Sequence, residues 1–303
     1  MSEIVGIGAC VADTLITLPR YPDEDTKMRA VSTKIAGGGP TSTGIVAASK
    51  LGAKAEYVGV LSDDGAGDFL LSDFKKYGVG VENVARKSGY SSFTSVIWLS
   101  LESASRTCVF DKGDLPPLEL TERQLKAITS AKLLMVDGNE LEAAIEGAKC
   151  AHENGALVLY DCGGLYPNVE RLLALTDIMI PSEEFAIGHT KKENVGEAAK
   201  ALYATYHPRV VVVTRGKLGG VIFDGKTLEE YPAFLVDAVD TNGSGDVFHG
   251  AFAAAVIRGY DYRKCCIFAS ATSAIKCTGV GARESTPDFD TVKTFLKEKG
   301  YEL

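Results

Sequence analysis

The 303-residue sequence predicts an α/β fold: a central, mostly parallel sheet flanked by helices, with a small β-sheet lid set into the same domain. Three observations carry this. Short apolar runs alternate along the chain with longer helix-like stretches. The apolar runs are continuous rather than alternating, as strands covered on both faces require. Several of the longer stretches stop at glycine, the residue that most easily takes the left-handed turn ending a helix.

The predicted buried strands, in order, are EIVGIG (3–8), AEYVGVL (55–61), AKLLMVD (131–137), ALVLYD (156–161), DIMIP (177–181) and RVVVVT (209–214). Between them lie the helical stretches TSTGIVAASKLG (41–52), AGDFLLSDFKKYG (66–78), NELEAAIEGAKCAHENG (139–155) and NVGEAAKALYATY (194–206). Residues 14–36 and 90–112 break the alternation: they are rich in Thr, Ser, Val and Ile without a helical period. SSFTSVIWLSLESASRTCVFD (91–111) reads as a β-hairpin turning near 102–105. These two segments form the predicted lid. A further hairpin is GGVIFDGKTLEEYP (219–232), with Asp224-Gly225 as a type I′ turn. No repeat or linker divides the chain, so residues 1–303 read as one domain.

Hydrophobic residues make up 46% and charged residues 24%, which excludes a disordered chain. The net charge of −8 argues against a nucleic-acid binder. It leaves room for anionic small ligands, which backbone amides bind locally. No apolar run reaches the roughly 18 residues of a membrane span. The N-terminus carries Glu3 and no basic segment, so a signal peptide is not expected. The seven cysteines are odd in number and contain no C-x-x-C pair, which predicts reduced thiols and a cytoplasmic protein. The adjacent Cys265 and Cys266 read as helix packing, and four scattered histidines offer no zinc spacing.

The strongest local signal is VDAVDTNGSGDVFHGAFAAAVIRGY (236–260). The loop Asp240 to Gly245 leads into Asp246, and a helix of small residues runs to about Arg258 before stopping at Gly259. Gly243 and Gly245 let the chain turn tightly and face its amides toward a ligand. Amides at a helix N-terminus form an anion hole for phosphate. Asp246 in the first turn points to the same space. An anion hole beside a carboxylate suits phosphoryl transfer, because the amides accept charge on the moving group while the carboxylate removes the acceptor's proton. By itself G-x-G-D is better explained by a tight turn and a helix cap. The same string recurs at 64–68 before an amphipathic helix, where capping is the better reading. His249, one turn beyond Asp246, reads as a packed helix residue.

Gly220 to Thr227 satisfies the P-loop pattern G-x-x-x-x-G-K-T. Its inner residues Val221, Ile222 and Phe223 are strand formers and no helical stripe follows, so Lys226 is not expected to bind phosphate. A dinucleotide-binding turn is also excluded, because Gly6 and Gly8 are followed by Val11 where the third glycine belongs. Two further places could face a ligand. Gly37, Gly38 and Gly39 follow a lid strand and precede Pro40, a helix starter. Asp13 and Thr214 to Gly219 follow the first and RVVVV strands, at the edge where open α/β sheets bind ligands.

Together these residues resemble the PfkB family of carbohydrate kinases, which have the ribokinase-like fold. The resemblance spans nearly the whole chain through VGIGACVADTL, GGGP, LGAKAEYVGVLSDDGAGDFL and DTNGSGDVF. It implies ATP- and Mg²⁺-dependent phosphorylation of a sugar hydroxyl. Asp246 is then the base, with the amides of Gly243, Ser244, Gly245 and Asp246 as the anion hole. Asp13, Gly38 and Gly39 hold the sugar. Thr214, Gly216 and Gly219 match the family's nucleotide segment, and Ala271 to Gly281 flank adenine. Asp240, Asn242 and Ser285 lie near a monovalent-cation (K⁺) site that some members use.

Two positions depart from the family pattern. Thr43 stands where an Asn often meets the sugar, and Ser182-Glu183-Glu184-Phe185 replaces N-x-x-E, which is linked to magnesium. Glu183 or Glu184 is the candidate substitute. Within the family, GGGPTST, DVFHGAF and IKCTGVGARESTPD are most similar to sulfofructose kinases, which hold an anionic sugar tail with Lys and Arg. Lys27 stands at the expected early lid position, whereas VDGNELE (136–142) lacks the expected Arg. A ketohexose or related sugar acid is an equal expectation. The remaining alternative is a non-catalytic sugar- or nucleotide-binding protein on the same fold. The lid's open edges make a homodimer plausible.

Overall fold

The computed structural model describes residues 1–103 and 105–303. The chain opens with β1 (Ile4–Ile7), β2 (Val11–Leu18), β3 (Ser32–Gly38), α1 (Pro40–Lys50), β4 (Ala55–Tyr57), β5 (Gly59–Ser62) and α2 (Gly65–Lys76). It continues through β6 (Val84–Lys87), β7 (Thr94–Ser100), β8 (Arg106–Asp111), α3 (Glu122–Thr129), β9 (Leu133–Val136), α4 (Leu141–Glu153), β10 (Leu157–Cys162), α5 (Glu170–Leu173) and β11 (Ile178–Pro181). The last part holds α6 (Glu183–Thr190), α7 (Val195–Tyr206), β12 (Val210–Thr214), β13 (Gly220–Phe223), β14 (Leu228–Tyr231), α8 (Ser244–Ile257), α9 (Tyr262–Cys277) and α10 (Phe289–Glu298).

Eight strands form the main sheet in the order β14-β13-β12-β11-β10-β9-β1-β4. Pairing is parallel from β4 to β12, and β13 and β14 close the far edge antiparallel. The strands read as continuous apolar runs because both faces are covered. On β9, Leu133 and Met135 share one core with Ile45, Phe252 and Phe268 of α1, α8 and α9. Leu134 and Val136 share the opposite core with Ile128, Ala144 and Ala148 of α3 and α4. The Ala- and Gly-rich composition of α8 has a steric cause: Gly250 lies so close to α1 that a Cβ there would fall on the carbonyl oxygen of Gly44.

A second sheet has the order β3-β2-β7-β8. Its central pair β2–β7 is parallel and the two flanking pairs are antiparallel. This is the predicted lid sheet; its first two strands run wider than expected, from Val11 to Gly38, and its other two lie within the expected segment, from Thr94 to Asp111. Asp13 is therefore on a lid strand and not on the loop directly after β1. The expected turn near 102–105 includes residue 104, which lies outside the described residues.

Two expectations change. AEYVGVL is not one strand. The Val58 amide still bonds Gly6 O (2.9 Å), but from Gly59 the chain leaves the main sheet and pairs with β6. The turn at Asp224-Gly225 is not type I′, because Gly225 has a positive φ and Asp224 does not. Phe223 pairs with Leu228 across a four-residue loop, in which Asp224 Oδ1 accepts from the amides of Lys226 and Thr227. That side chain bridges its own backbone, as Asp does in turns. As predicted, Val221 to Phe223 are strand and no helix follows Lys226 until α8, so the P-loop match is accidental. Among the described residues no helix is long and apolar enough to cross a membrane, and all seven cysteines are free.

Candidate active site

Helix α8 begins at a break in the chain that only glycine takes easily. Gly243 caps it at φ 71°, in the left-handed region, and no side chain caps the end. The Val247 amide closes the first helical turn on Gly243 O (3.0 Å), and the Ser244 amide bonds Thr241 O (3.2 Å). Among the described residues the amides of Gly243, Gly245 and Asp246 have no protein acceptor. The predicted anion hole thus has three open amides; that of Ser244 is turned inward.

Two cavities meet at this helix end. A cavity of about 180 Å³ lies between the small sheet and α1, lined by Asp13, Gly38, Gly39, Thr43, Asn242, Gly243 and Asp246 among others. Its remaining wall is mainly apolar, from Val11, Phe93, Ile97 and Phe110. Asp13 Oδ1 accepts from Ser95 Oγ at 2.6 Å. Burial raises the Asp13 carboxyl above its ordinary range, while Ser95 and Arg283 act in the opposite direction. Thr43 Oγ1 is buried and has no hydrogen-bond partner among the described residues, so a ligand hydroxyl could satisfy it. A larger cavity, about 430 Å³, lies on the other side of the helix end. Thr214, Gly216, Gly219, Ser244 and Gly245 line it beside an apolar slot between residues 233–238 and α9.

Asp246 faces the smaller cavity. Burial, and then the neighbouring Asp161 carboxylate, push its carboxyl up to about 7. Asp161 is itself pushed well up by burial and by Asp137. His249 lies beneath, with Nδ1 at 2.6 Å from Gly245 O and 3.2 Å from Asp161 Oδ2, and Nε2 at 3.1 Å from Ile180 O. Both ring nitrogens are engaged with the scaffold, which agrees with a packed residue rather than a proton shuttle.

Several predicted residues fall elsewhere. Lys27 is exposed on the loop after β2 and lines neither cavity. Ala271 is wholly buried; its neighbours Ser270, Ser273, Ala274 and Cys277 form the helix face that lines the larger cavity. Gly281 also stays out of the cavity, its amide bonding Asp240 Oδ2 at 2.9 Å. Ser182 caps α6 by accepting from the Phe185 amide (3.1 Å), Glu183 pairs with Arg215 (3.3 Å), and Glu184 is exposed. None of these three lines either cavity. Asp240 accepts from the Asn242 amide (2.8 Å), and Ser285 Oγ donates to Val280 O (2.9 Å). The segment 64–68 behaves as a cap: Asp64 Oδ1 accepts from the Gly67 amide at 2.7 Å.

Three residues were not singled out by sequence. Arg106, on lid strand β8, lines the larger cavity and donates to Asn242 Oδ1 at 3.3 Å, which ties the lid to the anion loop. Asp137 accepts from the amides of Ala9 and Thr41 (2.9 and 3.0 Å) and so locks β1 to α1. Arg283, buried, donates to Asp73, Gly38 O and Ser42 Oγ (2.7, 2.9 and 2.8 Å) and fixes the glycine-rich strand end.

The chain is similar in sequence and fold to known proteins. The chain is 26% identical over 297 residues to a ribokinase of Bacillus subtilis, covering 98% of this chain and all of the relative. It is 25% identical over 289 residues to a 5-dehydro-2-deoxygluconokinase of Clostridium perfringens, covering 88% and 85%. An Arabidopsis thaliana ribokinase solved with ribose and ATP superposes with a TM-score of 0.86 at 25% identity, over 98% of this chain and 99% of that one. The family model described as pfkB family carbohydrate kinase matches residues 1–288, over a chain with the ribokinase-like fold: the chain belongs to the pfkB family of carbohydrate kinases.

Proposed function

We propose that this kinase transfers the γ-phosphoryl group of ATP to a hydroxyl of a neutral monosaccharide. The sugar occupies the smaller cavity against Asp13, Gly38, Gly39 and Thr43, and the nucleotide occupies the larger one with adenine in the apolar slot. The observation that carries the reading is the position of residues 243–246, which form the shared wall of the two cavities. In the transfer, the Asp246 carboxylate takes the acceptor hydroxyl's proton. The sugar oxygen forms its bond to the γ-phosphorus as the bond to the bridging β–γ oxygen breaks, and that electron pair leaves on ADP. The open amides of Gly243, Gly245 and Asp246 hold the charge on the moving group.

Magnesium enters with the nucleotide in this scheme, as is usual for an ion held by phosphates and few carboxylates. Among the described residues no cluster of three or more His, Cys, Asp or Glu forms a dedicated metal site. When bound it would offset phosphate charge. Glu183 and Glu184 remain the nearest match to the family's magnesium segment. Unchanged magnesium affinity in a double Glu183→Gln, Glu184→Gln variant would dismiss them.

A neutral sugar is favoured over an anionic one because no Lys or Arg is among the described residues that line the smaller cavity, while Asp13 and Asp246 are. An ADP-release screen over ketoses, aldoses, sugar phosphates, sulfosugars and nucleosides tests this. Turnover only with a phosphorylated or sulfonated sugar would refute it. The small sheet also exposes Ile35, Leu101, Val109 and Phe110 at 59–62%. We propose that two copies pair through this sheet. A Val109→Glu variant should then be monomeric by light scattering, and a wild type that is itself monomeric would rule this out.

A further inference from the structure

Beneath the anion loop lies a buried ammonium group. Lys276, on α9, has no solvent exposure. Its Nζ donates to Asp240 O at 2.7 Å and lies 3.8 Å from Asp240 Oδ2. The same carboxylate accepts from the amides of Asn242 (2.8 Å) and Gly281 (2.9 Å). Asn242 leads directly into Gly243, so the ammonium, Asp240 and the first open amide are linked over four consecutive residues, 240–243. The Asp246 carboxylate acts on Lys276 electrostatically in the same direction as Asp240, opposing the fall that burial imposes on its pKa.

Asp240, Asn242 and Ser285 do not fit an external monovalent cation. Asp240's backbone oxygen is taken by the ammonium, the Asn242 side-chain oxygen faces Arg106, and Ser285 Oγ is turned to Val280 O. A lysine ammonium is a compact unit charge with donors that seek the same oxygens a potassium ion would. A second cation at Asp240 would meet like charge at short range.

We infer that Lys276 is a tethered internal cation: its ammonium stands in for the monovalent ion, braces the loop that ends in Gly243, and makes turnover independent of potassium. This rests on the proposed role of residues 243–246, and Lys276 acts through that loop as a positioning residue.

The test compares the full chain in a buffer whose only monovalent cation is tetramethylammonium with the same buffer carrying about 0.1 M potassium chloride. Wild-type ADP release with the best sugar of the screen should agree within about twofold, and its melting temperature should not move. Lys276→Met, which keeps the length and removes the charge, should lose about tenfold or more without potassium, within the usual range of cation coupling. Potassium or ammonium chloride should restore part of that loss and raise the variant's melting temperature. Potassium activation of the wild type by about fivefold or more, or a potassium-induced rise in its melting temperature, overturns the inference. So does a folded Lys276→Met that turns over at the wild-type rate without potassium. If that variant does not fold, the two wild-type comparisons decide. A wild type that releases no ADP with any sugar in either buffer fails the kinase reading instead, and the melting comparison then decides this one.

Discussion

Replacing Asp246 by Asn separates the two consequences of a carboxyl held near neutrality. The first is kinetic. Asn keeps the shape and cannot accept the acceptor's proton, so kcat should fall by about 10²–10⁴, or roughly 3–5 kcal/mol. The second concerns stability. A group raised from 3.8 to about 7 in the folded state binds a proton there that the unfolded chain has already lost. Wild-type stability therefore falls as pH rises from about 4 to about 7, and this cost is fully present above 7. The ceiling is about 4 kcal/mol. Water reaches the half-buried carboxylate, which lowers the effect to about 1–2 kcal/mol. The Asn variant escapes it. Its melting temperature should match the wild type near pH 4 and exceed it by about 2–5 °C at pH 8. The assays are coupled ADP release and thermal denaturation across pH. The wild-type kcat/KM profile should rise with an apparent pKa near 7, because the base works only when deprotonated. A variant retaining kcat within about tenfold refutes the assignment, and a melting difference equal at pH 4 and pH 8 refutes the raised carboxyl.

Asp13→Ala should lower kcat/KM for the sugar by about 10–150-fold, the loss of one or two charge-assisted hydrogen bonds, and leave ADP affinity unchanged by calorimetry. The reverse pattern would move Asp13 out of the sugar site. Arg106→Ala should reduce kcat by about 10–150-fold with little change in the sugar's KM, since the side chain reaches from the lid to the larger cavity, proposed above for the nucleotide. An unchanged kcat would mean that its bond to Asn242 serves only the free enzyme. Gly250→Ala should cost about 1–3 kcal/mol, because the new methyl meets backbone of α1. Gly65→Ala, whose methyl would meet nothing within 4 Å, should melt like the wild type.

What could be read from sequence was local. Strands β1 and β9 to β12 were visible because burial on both faces makes them continuous apolar runs. Strand β6 was not, because VARK is four residues long, half exposed and ordinary in composition. Helix α3 was passed over although Thr121 and Gln124 form a reciprocal capping box, a T-x-x-Q signal the chain displays openly. Within the site, Asp246 and the glycines were legible because they adjoin in sequence. Arg106 meets Asn242 across 136 residues and Arg283 meets Gly38 across 245. No local pattern encodes such contacts, and only the topology brings them together. The expectation for Ala271 failed by one helix face: Ser270, Ser273, Ala274 and Cys277 point into the cavity and Ala271 points into the core.

The two G-x-G-D strings show why spacing alone could not separate a site from a cap. At 64–68 the Asp64 side chain spends its oxygen on the Gly67 amide, so the helix end is satisfied from within. Side chains likewise cap α3, α6, α7, α9 and α10. The helices that open on the smaller cavity are different. Both α1 and α8 are capped by a glycine at positive φ, Gly39 at 95° and Gly243 at 71°, with no side-chain bond to their first-turn amides from the cap. A glycine at the cap costs only about a few tenths of a kcal/mol relative to a side-chain cap. Helices α4 and α5 also lack a side-chain cap, and the Thr41 amide of α1 bonds Asp137 Oδ2, so it is the start of α8 that leaves open amides where the two cavities converge and a ligand's oxygens could meet them. What distinguishes the two strings is which residue takes the cap position: Asp64, just before its string, supplies an acceptor to the helix end, whereas in the other string the first glycine, Gly243, is the cap and leaves the amides open to a ligand.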